Sequence, residues 1–147
     1  MKQFLLFSGT ALCICVSRWQ VHAESADNNP TATITFANNQ SVVAKSDGRT
    51  FEQVGLEPGT SAGVAVQLPA DEAGQVFNIE SPDGGSVGAT NNTTVGTDGI
   101  LSFSFRVGSR PGAYQIVLHN NVQELILQFW AFDLQNPQNN PPIATGE

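Results

Sequence analysis

Few side chains in this sequence have the type and spacing to do chemistry. One of the two histidines, His22, lies near the N-terminus, and the other, His119, stands directly before an Asn120-Asn121 pair. Nucleophilic catalysis needs a nucleophile, a base and a group that orients the base. A lone histidine before a turn reads instead as an exposed surface residue, and it provides no two-histidine spacing for zinc or copper. No glycine-rich phosphate loop follows a strand and opens a helix. The carboxylates remain: Asp71 and Glu72 are adjacent, while Asp83 and Asp98 each precede a glycine. A carboxylate pair would be the basis of a small hydrolase. Asp-Gly is first of all turn chemistry, and the regularly spaced acidic loop of a dedicated Ca²⁺ site is absent. The reading therefore assigns no catalytic residue, no metal ligand and no cofactor, and expects a protein that is not an enzyme.

The N-terminus has the form of a secretory signal peptide over residues 1–23. Lys2 supplies the positive start, Phe4 to Val16 is apolar apart from Ser8, Gly9 and Thr10, and Val21-His22-Ala23 places a small residue at the cleavage position. The run is shorter than the ~17–25 residues of a membrane-spanning helix, so no membrane span is expected. Export to the periplasm or beyond follows as the expected localisation. Both cysteines, Cys13 and Cys15, fall inside this segment, so the exported chain is expected to contain no disulfide and must fold on its apolar core. Past Ala23 only four cations, Lys45, Arg49, Arg106 and Arg110, stand against 13 carboxylates, a net charge of −9. Nucleic acid and anionic lipid both require clustered Lys and Arg, so neither is expected as a partner.

The elements that would carry any site are strands. Glu24 to Pro30 is a polar lead-in. Ala32, Ile34 and Phe36 alternate with threonines; Ser41 to Ala44 and Phe51 to Val54 are short further pieces. Val64, Val66 and Leu68 alternate as far as Pro69. Phe77 and Ile79 point inward with Val76, Asn78 and Glu80 outward, and Ser86 to Thr90 has the small residues of an edge. Asn91 to Val95 reads as a loop. Leu101, Phe103, Phe105 and Val107 alternate with Ser102, Ser104 and Arg106; after Pro111-Gly112, Tyr114, Ile116 and Leu118 continue the period. These two rows are expected to pair as an antiparallel hairpin at the centre of the core, with Phe103, Phe105, Tyr114 and Ile116 buried. Glu124 to Asp133 is the last strand, and residues 134–147, rich in Pro and Asn, are expected to be a disordered tail. No window carries a helical period. Nine candidate strands at sandwich-like spacing predict an all-β fold: an antiparallel, Ig-like β-sandwich of seven to nine strands over residues 31–133, without a disulfide.

Alternation also predicts a surface. Leu125, Leu127, Phe129 and Ala131 form the apolar row, because the opposite row would bury Gln128. Ile126, Trp130 and Phe132 then face outward, as does Val117 on the preceding strand. Val117, Ile126, Trp130 and Phe132 make a candidate interaction patch, unless the first strand or the tail covers it.

From Val54 to Phe132 the layout resembles a filamin-type, or more broadly bacterial, immunoglobulin-like repeat. The resemblance rests on Gly55-Leu56-Glu57-Pro58-Gly59, Ala73-Gly74, Ile79-Glu80-Ser81-Pro82-Asp83-Gly84, Thr97-Asp98-Gly99 and Pro111-Gly112-Ala113-Tyr114, in that order. Pro-Gly-x-Tyr also looks like a tyrosine corner, in which the hydroxyl bonds backbone a few residues upstream. The chain departs from the family in its export signal, its single repeat, and Val122-Gln123-Glu124 where the family places small-Pro-Phe. The resemblance implies a strand-addition edge between Val76–Glu80 and Ser86–Thr90, with Val76, Asn78, Glu80 and Val87 as its residues. The expected function is that of an exported structural or protein-binding module, acting on an unidentified protein or on a second copy. The alternative is a carbohydrate-binding sandwich using an exposed aromatic, for which Trp130 is the tryptophan available. Asn39-Gln40-Ser41, Asn91-Asn92-Thr93 and Asn92-Thr93-Thr94 fit the glycosylation pattern of a eukaryotic secretory pathway.

Overall fold

A computed structural model describes residues 28–88 and 92–141. The signal-peptide reading and most of the lead-in lie outside those residues. Ten strands occur among them: β1 (Thr31–Phe36), β2 (Ser41–Lys45), β3 (Val54–Leu56), β4 (Ser61–Gln67), β5 (Val76–Glu80), β6 (Ser86–Val87), β7 (Asn92–Thr94), β8 (Ile100–Arg106), β9 (Gly112–His119) and β10 (Glu124–Ala131). They form two five-stranded sheets, β3-β10-β9-β5-β7 and β2-β1-β4-β8-β6. All pairings between strands are antiparallel except β3 with β10, where Val54, Gly55 and Leu56 run parallel to Phe129, Trp130 and Ala131. The fold is the expected all-β sandwich, with one strand more than the expected upper bound. No helix among the described residues is long and apolar enough to cross a membrane.

The inward rows close the core. Ala32 and Ile34 of β1, Val64 and Val66 of β4, and Leu101 and Phe105 of β8 face Phe77 and Ile79 of β5, Ile116 and Leu118 of β9, and Leu125, Leu127 and Phe129 of β10; all are at most 2 % exposed. Phe105 and Phe129 stack across the gap, their ring centroids 5.3 Å apart. The register of β10 is the one alternation predicts, since Leu125, Leu127, Phe129 and Ala131 are all buried. Phe103 was expected in the core and instead is only half-buried at its margin.

Three local expectations are corrected. First, β8 and β9 do not pair. β8 lies between β4 and β6 in one sheet, β9 between β10 and β5 in the other, so their apolar rows meet across the core. The connection between them arches over because it is pinned twice. Gly59 N–H donates to Gly108 O (2.8 Å), and Tyr114 Oη donates to Arg110 O (2.8 Å), the tyrosine corner the sequence suggested. Gly108 must lack a side chain there, because a Cβ would stand 2.5 Å from Tyr114 Oη. Second, Asn92–Thr94 is a strand and not a loop, pairing with Val76–Asn78 of β5. Third, the strand expected at Phe51–Val54 sits at Val54–Leu56; Phe51 N–H donates to Ile126 O (2.9 Å), which docks the preceding segment on β10. The tail, as far as Pro141, is a closed loop: Asp133 N–H donates to Asn140 Oδ1 (2.6 Å), and Asn140 Nδ2 returns to Asp133 O (3.1 Å).

Candidate functional site: an uncovered end of the core

The carboxylates that precede turns are committed to backbone. Asp47 Oδ1 accepts from Thr50 N (2.7 Å) and Arg49 N (2.9 Å), and Asp98 Oδ1 accepts from Ile100 N (3.1 Å). Asp83 Oδ2 accepts from Gln115 N (3.0 Å). The bonds from Thr50 and then Arg49 hold the Asp47 carboxyl below the ordinary aspartate range. Among the described residues no group of three or more His, Cys, Asp and Glu is close enough to hold a metal ion. His119 ends β9, its Nε2 3.0 Å from Asn78 Nδ2 and 3.2 Å from Glu80 Oε2. A single imidazole beside one carboxylate and one amide is a polar cluster on an exposed face.

Of the four residues expected on the outer face, Val117 and Ile126 are direct cross-strand partners. Trp130 and Phe132 are also together, ring centroids 5.7 Å apart and planes inclined at 58°. Between the two pairs stands Gln115 opposite Gln128, so the face is two small apolar spots and not one patch. All four residues are half-buried, and Trp130 Nε1 is withdrawn from solvent without a partner among the described residues. The residues expected at a strand-addition edge fall on both sheets. Val76, Asn78 and Glu80 lie on β5, flanked by β9 and β7, while Val87 lies on β6 in the opposite sheet. The turn at 81–85 carries the chain from one sheet to the other.

Sequence reasoning missed the side of the sandwich between the edge strands β2 and β3. Val42 pairs directly with Ile34, and cross-strand partners share a sheet face. Both therefore point toward the opposite sheet. Ile34 is 0 % exposed, yet Val42 is 41 % exposed. Nothing roofs it. Next to it, beyond Phe36, a hollow of about 530 Å³ opens, lined by Phe36, Leu56, Phe132 and Leu134 among others. A second of about 490 Å³ adjoins it, with Val42 to Ala44 on one wall and Glu52 to Gly55 on the other. Leu134, at 69 % exposed, flanks the mouth. Glu57 and Glu52 are the charged residues lining the two hollows.

Local chemistry explains how these residues come to the edge. A turn at residues 37–40 reverses the chain, with Asn39 in the left-handed region at φ +65° and Phe36 N–H donating to Gln40 O (2.8 Å). The turn at 46–50 then swings the chain from β2 to the other sheet. Glu52 is held to β2 by its N–H donating to Lys45 O (2.8 Å) and its Oε2 accepting from Lys45 N (2.8 Å). The two sheet edges are thus joined at the Lys45 end of β2, and the two hollows lie between them beyond that junction. The signal in the sequence was Val42-Val43, adjacent apolar residues in a short strand, where one of the two must face away from the core. The chain matches no protein-family model, no curated protein and no solved structure.

Proposed function

We propose that this chain is an exported, non-enzymatic β-sandwich module whose open side, between β2 and β3, binds a protein partner. One observation carries the reading: Val42 faces the core side of its sheet opposite a fully buried Ile34 and is itself 41 % exposed. Apolar surface left in water at a core-facing position gains ~25 cal/mol per Å² when covered, and a concave apolar hollow with few polar groups is the usual form of a recognition site. The leader-like N-terminal sequence supports export. The inclined Trp130 and Phe132 rings offer no flat platform for a sugar, which weighs against the carbohydrate alternative.

The test places a photo-crosslinking residue at position 42 in the protein produced in its native host, with position 102 on the opposite face of that sheet as control. A discrete adduct with another protein from position 42 and none from position 102 is expected. Adducts of equal yield from both positions, or none from position 42, would overturn the reading.

A further inference from the structure

We infer that the open side receives an extended, apolar and basic peptide segment of its partner, added as a strand along the outer edge of β3 and lying over Val42 and Phe36. This rests on the reading that the open side binds a protein, and it names the form and charge of what is bound.

Three features point there. The first is a free edge. Phe132 N–H donates to Leu56 O (2.8 Å), so Leu56 turns its backbone groups toward β10. Successive residues of a strand bond to opposite sides, so Gly55 directs its N–H and C=O away from β10, into the open. The second is the shape of the vacancy. Packed sheets lie ~10 Å apart and neighbouring strands ~4.8 Å. A strand beside β3 would therefore stand over the core-facing side of β2, where Val42 is uncovered and one hollow lies, and would run on past Phe36 to the other. A folded surface cannot enter a slot of that width, whereas one strand fits it. Its alternate side chains would fill the hollows while its backbone pairs with Gly55, the arrangement of β-strand addition. The third is charge. Both charged lining residues, Glu52 and Glu57, are acidic, and the whole chain carries −7. An acidic segment would be repelled and a basic one attracted.

A library of random twelve-residue peptides is selected on the purified protein and counter-selected on its Val42→Asp variant. The recovered peptides are expected to alternate large apolar residues with Lys or Arg and to bind the variant at least tenfold more weakly. A recovered peptide at saturation is expected to slow hydrogen exchange of the Gly55 amide at least tenfold, a readout that holds even where the variant folds poorly. The Glu52→Gln, Glu57→Gln double variant should lose the preference for basic peptides. Recovery of acidic or non-alternating peptides, of no peptide that distinguishes the variant, or an unchanged Gly55 amide overturns the inference. Protection of Gly55 that rises with protein concentration alone also overturns it, because the occupant is then a second copy. A position-42 adduct combined with a failed selection refutes the strand mode and leaves protein binding intact; loss of the adduct refutes both.

Discussion

Ile34→Ala and Val42→Ala probe two residues that share a register and a facing direction but differ in what covers them. Ile34 is 0 % exposed, so its truncation removes buried carbons and leaves a cavity, which costs about 2–5 kcal/mol. Val42→Ala removes two carbons worth ~0.8 kcal/mol each when fully buried. With 41 % of the residue already in water and an open hollow that solvent refills, the loss comes to about 1 kcal/mol. Urea denaturation measures both. With m of ~1.5 kcal/mol/M, a loss of ~3 kcal/mol lowers the midpoint by ~2 M, and a loss of ~1 kcal/mol by ~0.7 M. An unchanged slope would show that both losses are losses of stability. If Val42→Ala costs as much as Ile34→Ala, Val42 is roofed in solution, the open side does not exist, and the functional reading built on it fails.

Other outcomes follow from the same structure. Phe105→Ala should cost ~3–5 kcal/mol, since it also removes the stack on Phe129; Phe103→Ala, at the core margin, should cost less than half as much, and equal denaturation midpoints would refute the burial difference. Tyr114→Phe removes the bond to Arg110 O and should cost ~0.5–1.5 kcal/mol, whereas Gly108→Ala should cost more because the ring must move; calorimetry that ranks them the other way contradicts the corner geometry. The Asn136 N–H bond, followed by those of Asn139 Nδ2 and Gln135 N–H, holds the Asp133 carboxyl below the ordinary aspartate range. A carboxylate with a depressed folded value contributes stability that is present above its unfolded value and lost as pH falls through the folded one. The loop at 133–140 should therefore stay closed at neutral pH and open only in acid below that range. Exchange of the Asn136 amide against pH checks it; opening near neutrality would be the contrary result.

The sequence by itself determined the fold class, because period-two alternation bounded by Gly, Pro, Asn and Asp leaves little choice but strands and turns. It also determined the faces. Once Gln128 is excluded from the core, one-residue alternation assigns every side chain of β10, and the structure agrees residue by residue. The tyrosine corner was legible because Pro-Gly-x-Tyr is a local motif satisfied within five residues.

Pairing was not legible. The connection from Val107 to Gly112 serves equally as a hairpin or an arch in a sequence reading, and the choice is made by partners far away, Thr60 and Gly59 just before β4, which bond Val107 N–H and Gly108 O and so hold its near end to the sheet of β8 while β9 pairs in the other. Asn92–Thr94 has neither alternation nor large side chains, and becomes a strand because β5 offers it an open edge. Cover is a property of two sheets together, and that is why the candidate site was invisible. Ile34 and Val42 are alike in chemistry and orientation; only the tertiary structure, by ending one sheet at β3 while the other extends to β2, buries the first and leaves the second in water.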